Sequence, residues 1–131
     1  MAAAQKVLSA DATNTASPQV AFTFDDLPAH GPLPPGTKRS EVLHSILATL
    51  KREQMPPVYG FINGFRVAHY PYQMHLLEAW RDAGEPLGNH TWSHPEFDKQ
   101  TPKEYEENIA KNEPMLRRLE PHGDWHWFRY P

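Results

Sequence analysis

The chain has 131 residues, a formal net charge of −3, 39% hydrophobic residues and no cysteine. That length suits one domain or part of one, the charge leaves no basic footprint for nucleic acid, and no run reaches the ~18 apolar residues that a membrane span needs. Disulfides and thiolate metal sites are excluded, so a transition-metal site must use imidazole and carboxylate.

Residues 1–18 are Ala, Ser, Thr and Asn with little periodicity and read as a mobile leader. They lack the charged start and apolar block of a signal peptide. Residues 19–131 read as the folded portion. Val20 to Phe24 is a short buried strand, rich in β-branched and aromatic residues, that stops at Asp25 and Asp26. Neighbouring strand side chains face opposite ways. One carboxylate can therefore hold a cation while the other works as a base; an ordinary Asp-Asp-Leu-Pro turn is the alternative. A Pro/Gly-rich loop follows, Leu27 to Gly36, with His30 inside it.

A helix is predicted over about Lys38–Gln54, with Val42, Leu43, Ile46, Leu47 and Leu50 on one stripe. Pro56-Pro57 ends it. Val58–Ile62 is a second strand, closed by Asn63-Gly64. A second helix spans about Tyr72–Ala83, with Met74, Leu77 and Trp80 on one face and Gly84 as its stop. Pro86–Asn89 is a third strand leading into His90. Thr101-Pro102-Lys103-Glu104 is a capping box opening a third helix to about Leu119, which Pro114 should kink or break. Trp125–Arg129 reads as a fourth strand, with Trp125 and Trp127 as packing residues. Strands alternating with helices imply a parallel sheet with its site at the carboxyl strand ends. Asp25, Asp26, Asn63, His90, His94 and Arg129 all fall there.

His90-Thr91-Trp92-Ser93-His94 places two imidazoles four residues apart, on one side of a helical turn or of a loop with that curvature. An Asp from another strand end completes a His₂–carboxylate set. Three protein ligands with open positions is the catalytic pattern; structural sites close all four. His44, His69, His75 and His122 read as surface histidines. Tyr70 and Tyr72 sit in a loop that can border a groove.

Thr23-Phe24-Asp25-Asp26, His90-Thr91-Trp92-Ser93-His94 and Phe128-Arg129-Tyr130-Pro131 together resemble the first three motifs of the polysaccharide deacetylases, the carbohydrate esterases of family four. The resemblance covers about Gln19 to Pro131. It implies a distorted (β/α) barrel of about seven strands, here truncated to about four βα units. It also implies Asp26, His90 and His94 as ligands of a divalent metal, zinc foremost, with cobalt, manganese and nickel as alternatives. Asp25 would be the general base and Arg129 the residue that pairs with and orients it. The Tyr130 backbone N–H would hold the oxyanion, and Trp92 would either stack on a sugar or cover the metal. Leu27-Pro28 departs from the Gly that usually follows the Asp pair, and the later motifs, including the acid that protonates the leaving group, have no counterpart in these residues.

The function this implies is hydrolytic removal of acetyl groups from N- or O-acetylated carbohydrates. The alternatives are an esterase for small or aryl esters, suggested by the Pro-rich loop, and a non-catalytic metal- or glycan-binding half-domain. An enzyme of this class is expected to be secreted or periplasmic. Four strands with an open edge also predict self-association or a missing C-terminal half as partner.

Overall fold

A computed structural model describes residues 20–28 and 31–131; the expected leader, Gln19 and His30 lie outside the described residues. Among the described residues, β1 (Thr23–Leu27), β2 (Tyr59–Ile62) and β3 (Leu87–Asn89) form one parallel sheet in the order β1-β2-β3. The helices α1 (Arg39–Arg52), α2 (Gly64–His69), α3 (Met74–Asp82) and α4 (Pro102–Leu119) alternate with them. The α/β class and the parallel pairing are as expected. These residues make an open sheet and do not close a barrel.

Two strand readings are corrected. Val20 and Phe22 are 77% and 60% exposed, and pairing begins only at Thr23. The apolar run preceding the Asp pair is therefore not the strand; the pair lies inside it. Trp125–Arg129 does not form a fourth strand. Among the described residues its backbone pairs with the sheet through a single parallel bridge, Asn89 to Phe128. The alternating aromatic pattern has no neighbour on its outer side to pair with, so one bridge is all the ladder it makes.

α1 starts where the Glu41 carboxylate accepts the Lys38 N–H at 2.9 Å and buries Leu43 and Leu50. α3 buries Leu76, Leu77 and Trp80 against the sheet, and Gly84, at φ 89, carries the chain away from it. α2 was not predicted: Asn63-Gly64 reads as a turn, and six residues are too few to show a period. α4 is capped as expected, with the Glu104 N–H donating to Thr101 Oγ1. It continues unbroken through Pro114. The carbonyl that Pro114 leaves without its helical donor belongs to Ala110, and both residues are exposed, so water can satisfy it.

The core lies between the sheet and α1, α3 and α4, around Ile62, Leu77, Trp80, Leu87 and Leu116. All five are buried, and each such side chain contributes about 1.5–3 kcal/mol of transfer free energy. This places the carboxyl ends of the three strands side by side at one edge.

Candidate metal centre

β1 carries a local irregularity where the carboxylates sit. Phe24 pairs with Gly60 and Leu27 with Ile62, so Asp25 and Asp26 together stand opposite the single residue Phe61. Such a bulge re-aims side chains. Asp26 takes φ 62 there and turns toward the end of β3, where it meets both histidines.

Asp26 Oδ1 lies 3.6 Å from His90 Nε2 and 3.4 Å from His94 Nε2. One ligand atom from each of the three residues falls within 4.8 Å of the others. His90 follows β3 directly and is 2% exposed, whereas the His94 side chain is 38% exposed. The two imidazoles come together through a loop, not a helical turn: Thr91 and His94 hold φ values of 68 and 56. Three of the four non-glycine residues with positive φ among the described residues therefore belong to this site. Such conformations persist only where the surroundings enforce them.

The donor set fits a divalent cation. His90 Nδ1 stands 2.9 Å from the Arg129 carbonyl oxygen. A carbonyl can only accept, so Nδ1 carries a proton, and an imidazole in its metal-ligating neutral form would present the Nε2 lone pair toward the Asp26 carboxylate. Two acceptors facing each other need positive charge between them. Ligands held about 2.1 Å from a tetrahedral zinc stand ~3.4 Å apart, which the Asp26–His separations match. An imidazole whose second nitrogen donates to a backbone carbonyl is the usual outer support of a metal-bound histidine.

Asp25 is exposed and, with Asp26, lines a cavity of about 260 Å³ whose other walls include Leu27, Pro28, Leu33, Arg39 and Ile46. The implied pairing of Arg129 with Asp25 is not made. The Arg129 guanidinium donates from Nη2 to the Thr23 hydroxyl at 3.1 Å and lies 5.2 Å from the centre of the Phe61 ring. Phe61 offers a π face close to the sheet edge, and the cation rests on it. Arg129 thus enters the site through its main chain.

Tyr130 is 64% exposed. Its ring stacks near Tyr105 and meets Phe97 and Phe128 edge-on. Burial, with the Tyr130 phenol close by, pushes the Tyr105 phenol up from its ordinary value. Trp92 is half-buried; its ring lies against Gly64 and under the Lys111 ammonium, 4.9 Å from the ring centre. Both contacts are packing contacts to the framework.

A family model described as polysaccharide deacetylase matches residues 12–131. The chain belongs to the polysaccharide deacetylase family. It is 32% identical over 101 residues to the peptidoglycan-N-acetylglucosamine deacetylase of Bacillus cereus, covering 77% of this chain and 32% of that one. The solved structure of the peptidoglycan deacetylase PdaC from Bacillus subtilis aligns with a TM-score of 0.61 at 29% identity, covering 85% of this chain and 48% of that one. A mutant of a CE4-family pseudoenzyme from Bacillus anthracis, with restored enzymatic activity, aligns with a TM-score of 0.66 at 25% identity over 85% of this chain and 35% of its own. The chain thus spans about a third of the length of the Bacillus cereus relative it matches.

Asn63, which the sequence places at the strand ends with the site, and Asn89, Asn108 and Asn112, to which it assigns no role, tie the histidine loop to its surroundings. Their one sequence signal is the four-residue spacing of Asn108 and Asn112 on α4, which puts both amides on one helix face.

Proposed function

We propose that this chain carries the metal-binding and base-bearing part of a hydrolase that removes acetyl groups from N-acetylated cell-wall glycan. The observation that carries the reading is the convergence of Asp26, His90 and His94, with the His90 Nδ1–H committed to the Arg129 carbonyl. The substrate class comes from the peptidoglycan deacetylases that the chain resembles, and such a substrate places the reaction outside the cell membrane.

Asp26, His90 and His94 would hold a divalent cation, zinc being the fit to a nitrogen–oxygen set with open positions. A cation there supplies positive charge that polarises an acetyl carbonyl and acidifies a water. Asp25, on the same bulge as Asp26, would act as the general base toward the attacking water. The Tyr130 N–H donates to the acetyl oxygen as negative charge grows on it. The His90 Nδ1–H donates a hydrogen bond to the Arg129 carbonyl, which keeps Nε2 as the nitrogen facing Asp26.

The pseudoenzyme neighbour favours weighing a second reading, in which the site binds metal without turning over. Two substrates and two variants separate them. The leaving amine of an N-acetyl sugar must gain a proton, while the phenolate of p-nitrophenyl acetate need not, so the ester reports the attack step alone. His90→Ala should lose the metal. Asp25→Asn should keep it and lose about 10²–10⁴-fold in ester turnover. Equal metal content in wild type and His90→Ala would overturn the site. Wild-type metal content without any hydrolysis of either substrate would favour the non-catalytic reading.

A further inference from the structure

Behind the histidine loop stands a set of amide side chains outside the Asp/His/His cluster. Asn112 is fully buried in α4, with 0% exposure. Its Nδ2 donates to the Ile62 carbonyl at 2.8 Å and to Asn89 Oδ1 at 3.0 Å, and its Oδ1 accepts the Gly64 N–H at 2.9 Å. Backbone carbonyls only accept and backbone N–H groups only donate, so these partners fix which way the amide points.

Asn89 passes the constraint on. Its Oδ1 also accepts the Thr91 N–H at 2.9 Å, and its Nδ2 donates to the Ile109 carbonyl at 3.0 Å. Thr91 Oγ1 in turn accepts the His94 N–H at 3.1 Å. One helical turn before Asn112, Asn108 makes the second tie. Its carbonyl accepts the Trp92 N–H at 3.1 Å, and its Oδ1 accepts the Ser93 N–H at 3.0 Å. From the other side, Asn63 Nδ2 donates to the carbonyls of His90 at 2.7 Å and Thr91 at 3.1 Å.

With the His90 N–H on the Ile62 carbonyl and the Asn89 N–H on the Trp127 carbonyl, every backbone N–H from Asn89 to His94 has an acceptor. That is a dense set for six residues that include two at positive φ. The sheet holds the first two of these N–H groups; from Thr91 onward the acceptors come from the Asn89 and Thr91 side chains and from Asn108 of α4, with Asn63 donating to the loop carbonyls.

We propose that Asn112 and Asn108 are positioning residues of the metal centre: α4 splints the His90–His94 loop so that both imidazoles stand in ligating geometry before the cation arrives. The proposal rests on the metal-site reading above. An unsplinted loop would have to be ordered by the metal itself, and that ordering would be subtracted from the binding affinity. Removing an outer support of this kind typically weakens metal binding 10–100-fold.

The test uses the full chain with two variants. Asn112→Asp keeps the shape and removes both N–H donors; Asn108→Ala removes only the two exposed side-chain hydrogen bonds to Ser93. Cobalt(II) affinity, read from its visible absorption, is compared with amide hydrogen exchange in the metal-free protein at Thr91–His94 and at Leu77–Trp80. The expected result is 10–100-fold weaker cobalt binding with faster exchange confined to the loop. Unchanged cobalt affinity, or loop exchange that rises no more than core exchange, overturns the proposal. Should Asn112→Asp fail to fold, Asn108→Ala decides. A wild-type chain that took up no cobalt would sink the metal-site reading instead, and the exchange comparison would then decide this one alone.

Discussion

His90 and Arg129 belong to adjoining segments at the same sheet edge, yet one is 2% exposed and the other reaches across exposed surface to Thr23. The loop after β3 is flanked by β2, backed by α4 and held at each backbone N–H. Residues 125–131 have one bridge, with Asn89, and leave Trp127 and Tyr130 58% and 64% exposed. The fold therefore fixes side chains in the first segment and main chain in the second. That is why His90 contributes an imidazole to the site and Arg129 a carbonyl.

The difference can be broken most forcefully in the core. Leu87 of β3 is fully buried, and Leu87→Ala should cost about 2–5 kcal/mol. Phe128 is only half-buried, and Phe128→Ala should cost clearly less than the 3–5 kcal/mol, roughly, of a fully buried Phe. Urea denaturation, comparing midpoints at equal slope, measures both. Equal losses would mean that the final segment is as integral to the fold as β3.

The next test works on the backing of the loop. A Cβ on Gly64 would stand 2.6 Å from Asn112 Oδ1 and from the Trp92 ring. Gly64→Ala should therefore destabilise by about 1–3 kcal/mol, against the usual gain of Ala over Gly in a helix. It should also speed exchange at Thr91–His94. A stabilised variant would show that the contact relaxes freely and that the loop is not tightly backed.

These two segments also mark where the sequence was legible. His90, His94 and one Asp of the strand-end pair could be grouped from their residue types and placement, the resemblance pointed to Asp26 as that Asp, and the structure brings these three together. The strand carrying Asp26 was misplaced, because Val20-Ala21-Phe22 is apolar yet exposed and the pairing runs through the carboxylates instead. Nothing in composition announces a bulge whose signal is two Asp residues opposite one Phe. Likewise the alternation in Trp125–Phe128 is a strand pattern, but pairing needs a partner on the far side. The asparagine supports are invisible because an Asn on a helix carries no chemistry until its neighbours are known.

A smaller effect is expected at Arg129. Arg129→Ala removes an exposed bond to Thr23 and a cation over the Phe61 ring, together worth about 1 kcal/mol. Its carbonyl remains to hold the His90 Nδ1–H, so cobalt affinity should stay close to wild type while His90→Ala abolishes it. A large loss of cobalt affinity in Arg129→Ala would assign the guanidinium a role that the geometry does not give it.

The smallest effect separates the two ends of α4, the helix that backs the loop. At its start the Glu104 carboxylate accepts the Thr101 N–H at 2.8 Å and the Thr101 hydroxyl at 2.7 Å, and these bonds, the backbone one first, hold its carboxyl below the ordinary value. The unfolded chain then binds more protons than the folded one in the window beneath the unfolded carboxylate value of ~4.3, so stability is present above that window and falls as pH drops through it. At the other end burial pushes the Glu120 carboxyl up, although it accepts the Leu87 N–H and faces Arg81. There the folded chain binds more protons, so stability is present below ~4.3 and declines as pH rises through the raised value. Glu104→Gln should therefore lose stability relative to wild type at neutral pH and converge with it in acid. Glu120→Gln keeps an acceptor for Leu87 without the charge; it should match wild type in acid and gain on it toward neutrality. Thermal melts between pH 3 and pH 7, in steps of about half a unit, would read both slopes. Slopes of the same sign for the two variants would mean that folding shifts the two carboxyls in the same direction, against the opposite surroundings seen at the two ends of α4.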